Sequence, residues 1–599
     1  MPILRPVALC LLGIWAASAA APNIKSRSAA RVRTAAPTAA GLAAARRLSL
    51  HDRVAQMIVV RGYGEYLDSS SGEYKTLIHW IRDLHVGGMI VANRIRSGQV
   101  INAQPYEMAA FTNHLQKMAK TPLFIGSDFE HGASMRVAET AKYPYLMAFG
   151  AAHDLDAVKE FGAATAREAR ALGVTWVFAP DADVNNNPDN PIINTRSFGE
   201  DPEEVAKGVA AFIDGAHSDA KNYVLVTAKH FPGHGDTGED SHMQMVRLDQ
   251  PRERVESLEL VPFRAAIEHG VDAIMTAHMA VPAFDTEKVP ATLSKKILTN
   301  LLRDELKFKG ITVTDAMDMQ GVTSLFSQSE AAARAVEAGA DVLLMPLDPE
   351  ACIRGVLSAV RTGRISQRRI DESVAKLLCA KRRAGLYASR FVNLDRIADG
   401  IKDPKFDLLA QRVADEAITL VKDEKHMFPV QDRSAACLTV LTEGRFSSRG
   451  QALLSAISRT APKMNISLAN PAMPQTELTA ISAGMKDCKQ VYVAAFITVA
   501  AYRGTVGLDG GLSGFMNSLI QTSPAVALVS LGNPYLLRNF PGVSAYMATF
   551  SPSTSSEISA AKAILGEIRV QGRLPVSIPG IAARGDGIQV TNLLTKASQ

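Results

Sequence analysis

The chain has 599 residues, 47% hydrophobic and 21% charged, with a net charge of +5. That length predicts two or three domains, not one, and that composition excludes a disordered chain. Much of the small positive excess sits in Lys25, Arg27, Arg31, Arg33, Arg46 and Arg47, which argues against a nucleic-acid-binding protein.

The first residues have the pattern of a secretory signal. Arg5 gives a positive start, Val7 to Trp15 an apolar core, and Ala17-Ser18-Ala19 a small-residue cleavage site. The apolar run is too short for a transmembrane anchor, and no later run is long enough to span a bilayer. The expectation is residues 1–19 as signal peptide, an exported periplasmic or extracellular protein, and a flexible leader over 20–47. Cys352, Cys379, Cys437 and Cys488 remain after cleavage. They form no close pair of the metal-ligand type, and the sequence leaves any disulfide pairing open.

From Leu48, short apolar runs alternate with amphipathic segments. The predicted strands are Met57–Val60, Gly88–Ala92, Leu123–Gly126, Trp176–Ala179, Tyr223–Ala228, Ala273–Thr276, Thr312–Thr314 and Val342–Met345. Predicted helices between them include Asp156–Leu172, Pro202–His217 and Arg252–His269. Eight such repeats suit an α/β fold of the (β/α)8 barrel type over residues 48–386, with an open doubly wound sheet as the competing architecture. A polar stretch, 387–410, is expected to be a linker. Residues 411–599 are expected to form an open α/β sandwich, with strands at Cys437–Leu441, Val491–Phe496, Ala525–Ser530 and Val543–Thr549.

A barrel puts its chemistry at the strand carboxyl ends. Titratable residues recur there: Asp128, Glu130, His131 and Arg136 after the third run, Asp181, Asp183 and Arg196 after the fourth, His278 after the sixth, and Asp315 and Asp318 after the seventh. The densest stretch follows the fifth, from Lys229-His230-Phe231-Pro232-Gly233-His234 to Asp240-Ser241-His242. Its glycines and proline exclude a regular element.

Retaining glycoside hydrolysis needs a carboxylate nucleophile and a group that delivers and later removes a proton. Asp315, a short side chain at a strand end, suits the first role. Asp318 is the nearby alternative, expected to cap a helix or face solvent. His242 suits the second role, because an unperturbed imidazole titrates close to neutral pH. Asp240 is near enough to fix its tautomer, as aspartate does in hydrolase triads. A metal reading competes, with His230, His234, Asp236 and His242 as ligands. The spacing matches no zinc motif, and Lys229 adds a cation, so neither metal nor cofactor is expected.

The stretch from Lys229 to His242 resembles the signature of glycoside hydrolase family 3, in its β-N-acetylhexosaminidase branch. The segments Pro290-Ala291-Thr292-Leu293-Ser294, Phe308-Lys309-Gly310-Ile311 and Gly572-Arg573-Leu574-Pro575-Val576-Ser577 resemble the family too. The resemblance implies a barrel followed by a sandwich, Asp315 as nucleophile and Asp240–His242 as the acid/base dyad. It places sugar recognition at Asp128, Arg136, Arg196, Lys229 and His230, makes His234 a partner that shapes the loop, and sets His278 in the pocket lining. Charged groups suit sugar hydroxyls because charge-assisted hydrogen bonds are the stronger ones. Many relatives carry Gln-Glu-Gly-Gly where this chain has Phe129-Glu130-His131-Gly132, so the adjoining subsite departs from the common shape. The dyad implies an N-acetylglucosaminide over the β-glucosides or β-xylosides of other branches. The implied partner is a carbohydrate, from peptidoglycan fragments or chitooligosaccharides. A phosphorylase, in which imidazole spares phosphate a charge repulsion, and a non-catalytic sugar-binding protein are the other readings.

Overall fold

The computed structural model describes residues 38–97, 99–499 and 504–591. The expected signal peptide, and residues 20–37 of the expected leader, lie outside the described residues. The rest of that leader is ordered. Thr38 caps a helix, Ala39–Arg46, by accepting a hydrogen bond from the Gly41 amide. This helix packs on Gln367–Arg383 so closely that a Cβ on Gly41 would lie 2.8 Å from Cys379 Sγ.

Eight parallel strands follow: β1 Ile58–Gly62, β2 Gly88–Val91, β3 Phe124–Ser127, β4 Trp176–Val177, β5 Leu225–Phe231, β6 Ala273–Thr276, β7 Ile311–Thr314 and β8 Leu343–Leu344. Each pairs with its neighbours in chain order, β8 pairs with β1, and a bridge from Val313 to Val342 joins β7 to β8. The sheet thus curls into a (β/α)8 barrel, and all eight expected strands are present. Nearly every strand residue is buried, as in parallel sheets covered on both faces. Trp176 meets Phe124 edge-on at 5.1 Å between ring centroids, and its indole N–H donates to Thr227 Oγ1 at 2.7 Å. The long amphipathic segment at 252–269 is two helices, Arg252–Ser257 and Val261–Glu268, because Pro262 fits only the first turn of a new helix.

The expected linker is not a loose tether. Residues Ile397, Ile401, Phe406, Leu409, Ala410 and Val413 are buried in the same hydrophobic core as the barrel. Helix Pro404–Ala417 runs through the expected boundary at 410 into the second domain. Polarity misled the reading here, since the apolar residues are spaced for helix packing, not run together.

The second sheet has six strands: β9 Thr419–Asp423, β10 Ala436–Leu441, β11 Asn465–Ala469, β12 Gln490–Ile497, β13 Val526–Gly532 and β14 Ala545–Ala548. Their spatial order is β9-β14-β13-β12-β10-β11, all parallel except β9. A separate hydrophobic cluster fills each face, so this is an α/β sandwich. Cys437 on β10 and Cys488 just before β12 form a disulfide, while Cys352 and Cys379 are free thiols. The sandwich also packs on the barrel. Met147, Ala148 and Ala151 of helix Leu146–Ala152 belong to one of its clusters, and Glu200 accepts hydrogen bonds from Ser577 N and Oγ at 2.8 and 2.6 Å.

Candidate active site

The predicted site residues gather at the carboxyl ends of the barrel strands. Asp315 directly follows β7, where its amide donates to Thr276 O and its Oδ1 accepts from Ala316 N at 2.7 Å. Burial alone would raise this carboxyl. The imidazoles of His230, His278 and His242 outweigh it and bring Asp315 down to about 2, so it is ionised at neutral pH. Asp318 neither caps a helix nor faces solvent freely, because it forms an ion pair with Arg61 of β1.

His242 Nδ1 lies 2.7 Å from Asp240 Oδ1, and the same oxygen accepts from the His242 amide at 2.8 Å. Asp240 is buried, while the His242 side chain is 24% exposed. His234 has no ligand-binding role open to it. Its ring spans Thr237 Oγ1 at 2.8 Å and Ser241 Oγ at 2.9 Å, and burial lowers it to about 4, so it is a neutral brace inside the loop.

Next to the dyad lies an ion-pair lattice. Asp128 accepts from Arg136 Nη2 at 2.9 Å and Lys229 Nζ at 3.1 Å. Glu130 takes a bidentate grip on Arg196, at 2.8 and 2.9 Å, and lies 2.7 Å from Lys229 Nζ. A third Arg196 N–H goes to Ile192 O, which leaves two of the guanidinium's five donors. Burial opposes the charge on Lys229, but Glu130, Asp128 and Asp181 hold it above the ordinary lysine range. Arg136 also donates to Asn93, the residue that follows β2 and Ala92.

His230 is fixed by Asp183, to which the sequence reading assigns no role. Asp183 accepts from His230 Nδ1 at 2.8 Å, from the His230 amide at 3.2 Å and from the His234 amide at 2.7 Å. Burial works against a proton on His230, but Asp183 raises its affinity for one. The spacing held a signal, because Asp181 and Asp183, like Asp128 and Glu130, are alternate residues on an extended chain and point the same way.

His278 does not line the pocket. It is fully buried, with Nδ1 on Thr292 Oγ1 at 2.8 Å and Nε2 on Ala316 O at 3.0 Å, and so pins the turn behind Asp315. The expected rival metal set is dispersed, since Asp236 binds Gln250 and His234 and His242 are held as above. Ligand atoms of Asp181, Asp183 and His230 do come within 4.8 Å of one another. Arg196 Nε stands 3.1 Å from Asp181, Lys229 Nζ stands 3.9 Å away, and Asp183 already accepts from two amides and an imidazole. Cations of the protein hold the place a metal would take. Burial and the Glu130 charge push Asp181 up.

Asparagines of the loop after β4 tie this site together. Asn190 Nδ2 donates to His234 O and Gly235 O, and Asn187 Nδ2 to Asp236 O. Asn185 and Asn194 donate to Tyr535 and Asn533 of the sandwich, at 2.8 and 3.2 Å.

Residues 49–380 match the family model described as Glycosyl hydrolase family 3 N terminal domain. The chain belongs to this family. It is 32% identical over 371 residues to the Beta-N-acetylglucosaminidase/beta-glucosidase of Cellulomonas fimi, spanning 60% of this chain and 63% of that protein. It is 29% identical over 526 residues to Beta-hexosaminidase A of Pseudoalteromonas piscicida, spanning 79% of this chain and 87% of that one. The solved structure of a glycoside hydrolase family 3 beta-N-acetylglucosaminidase from Paenibacillus sp. superposes with a TM-score of 0.79 at 33% identity, over 89% of this chain and 99% of that chain. As a member of glycosyl hydrolase family 3, the protein is a glycosidase whose barrel holds the residues just described.

Proposed function

We propose that the protein is an exported, retaining exo-β-N-acetylglucosaminidase that acts on peptidoglycan fragments or chitooligosaccharides. The observation that carries this reading is an ionised Asp315 within electrostatic reach of the imidazole of His242, which Asp240 orients. In the first step a carboxylate oxygen of Asp315 attacks the anomeric carbon. The glycosidic bond breaks, and its oxygen takes a proton from His242 Nε2. In the second step water attacks the glycosyl-aspartate ester and gives its proton to His242, restoring Asp315. Asp240 holds Nδ1 and stabilises the imidazolium. Asp128, Arg136, Arg196, Lys229 and His230 bind the sugar hydroxyls, while His234 and His278 hold the loops that carry the reacting groups.

The dyad and the names of the relatives support the N-acetylglucosaminide. The Cellulomonas fimi protein's double name favours a β-glucoside as the second reading. Export rests on the pattern of residues 1–19. No helix among the described residues is long and apolar enough to cross a membrane.

Asp315→Ala tests the reading. On a panel of nitrophenyl β-glycosides the parent prefers the N-acetylglucosaminide, with or without chelator or phosphate. The variant loses several orders of magnitude in rate, and azide restores turnover as the inverted glycosyl azide. Substantial activity in the unrescued variant would remove Asp315 from the nucleophile role.

A further inference from the structure

The loop that carries Asp128, Glu130 and Arg136 leans on helix Leu155–Ala171. It turns at Gly132, whose φ is +85°, and a Cβ there would lie 2.6 Å from the Tyr143 ring. Tyr143 in turn rests on Phe161 of the helix, with 4.8 Å between centroids. About two turns further along the helix, Glu168 Oε1 accepts from the Ala141 amide at 3.1 Å, and the Ala133 amide pulls on the same carboxyl. Glu168 thus clamps both ends of the segment from Ala133 to Ala141. From the middle of that segment Arg136 reaches Asp128 at 2.9 Å, and Asn93 as well. Fully buried, Glu168 has no access to a substrate and can act only through this segment.

A buried carboxyl keeps its proton unless its surroundings compensate the charge. Tyr143 faces Glu168 from the loop, a phenol whose own proton is held tighter by burial and by the Glu168 charge. Asp407 faces it from helix Pro404–Ala417 and is itself an acid. Arg167 and Arg170, cations of the same helix, are turned to Asp403 at 2.8 Å and to Ala384 O at 3.1 Å. Two further helices packed along it, Pro202–Ala216 and Ile397–Ile401, meet it through Phe212 and Gly400. Glu168 Oε2, Tyr143 Oη and Thr165 Oγ1 are buried oxygens without a hydrogen-bond partner among the described residues, a setting that suits O–H over O⁻. Burial outweighs the two amides and carries Glu168 up to about 8.

We propose that Glu168 is a positioning residue for the glycosidase reaction, a clamp on Ala133–Ala141 that keeps Arg136 against Asp128 for sugar binding. The inference rests on the glycosidase reading above and adds a control on its sugar-binding lattice. The clamp works with its proton on. Above about pH 8 the carboxyl ionises, the buried charge draws water into the seam, and the segment that carries Arg136 loosens. The sign is that of an acid raised by burial, so the clamp is whole below that pH and released above it.

The test follows KM and kcat of the full chain on nitrophenyl β-N-acetylglucosaminide. In Glu168→Leu, which keeps the bulk and removes both oxygens, KM rises about tenfold while kcat stays within about threefold. Glu168→Gln has the shape of the protonated acid and restores the parent KM at about pH 7. The ratio of parent KM to Glu168→Gln KM cancels the titrations the two share. It is near one at about pH 7 and rises about tenfold by about pH 9.5, with its midpoint near 8. A ratio that stays flat with pH overturns the clamp, even where Glu168→Leu fails to fold. A parent-like KM in a folded Glu168→Leu, or a raised KM in Glu168→Gln at about pH 7, overturns it too. In an active parent each of those results leaves the glycosidase reading standing. A parent that cleaves none of the nitrophenyl glycosides removes that reading, and the clamp, defined by sugar binding, falls with it.

Discussion

Asp183→Asn removes one charge and keeps the side chain's shape. In the parent, both carboxylate oxygens accept, taking the His230 and His234 amides and the His230 ring at 2.7 to 3.2 Å, with no solvent exposure. An asparagine offers one accepting oxygen and turns an N–H₂ towards groups that also donate. At least one buried donor is stranded, at about 1–3 kcal/mol, and the charge-assisted bond to the imidazole, worth about 1.5–3 kcal/mol, is weakened. The sum is about 2.5–6 kcal/mol, a large share of a typical stability of about 5–15 kcal/mol. Thermal and urea unfolding of the full chain measure it.

The penalty depends on pH, and its sign follows from the two shifts. Asp183 is buried, but His230 and the amides hold it below 3.8, so its contribution is present above that value and lost as pH falls. His230 is raised above 6.5, so its contribution is present below that value and lost as pH rises through the folded pKa. Parent and variant therefore differ most from about pH 4 to about 6.5, and the difference shrinks as pH rises through the folded pKa of His230. In the kinetics, His230 Nδ1–H is held by Asp183, so Nε2 can donate to the sugar only in the charged ring. The alkaline limb that follows this proton moves to lower pH in the variant, and kcat/KM falls by about 10- to 100-fold, equally for good and poor leaving groups. Parent-like unfolding and an unmoved alkaline limb in Asp183→Asn would refute the reasoning.

His242→Ala is expected to damage cleavage of a disaccharide far more than that of a nitrophenyl glycoside, which leaves without a proton, while Glu239→Gln changes neither; equal losses on both substrates would mean that His242 only positions the sugar. Glu130→Gln weakens the grip on Arg196 and Lys229 at once and is expected to cost about 3–5 kcal/mol in urea unfolding, as breaking a buried pair does. In that variant KM rises more than kcat falls, because the two cations proposed to bind the sugar lose their common anchor, and a parent-like KM would detach Glu130 from recognition.

The sequence shows which residues sit at strand ends, because an apolar run followed by a charged residue is a local pattern. It does not show their partners, which are set by how two loops approach in space. Nothing local says that Asp183 reaches His230, that Glu130 reaches Arg196, or that asparagines after β4 reach the dyad loop and the sandwich. The same limit explains the two strands missed in the second sheet. β9 opens on buried Thr419 and Leu420 but ends on Lys422 and Asp423, and β11 buries only Ala469 fully. Edge strands need no continuous apolar run. β12 and β13, buried along nearly all their length, were plain.

Helix Pro404–Ala417 also sets an order of events during synthesis. The last barrel strand ends at Leu344, yet the barrel core still lacks Ile397, Ile401, Phe406, Leu409 and Val413. A nascent chain that has exposed all eight strands therefore keeps an apolar flank open to water until about seventy more residues have emerged. By then the same helix has delivered Ala417 to the sandwich. The barrel is completed by the segment that begins its neighbour, so a chain cut at residue 386 should be collected as aggregate and not as a working half.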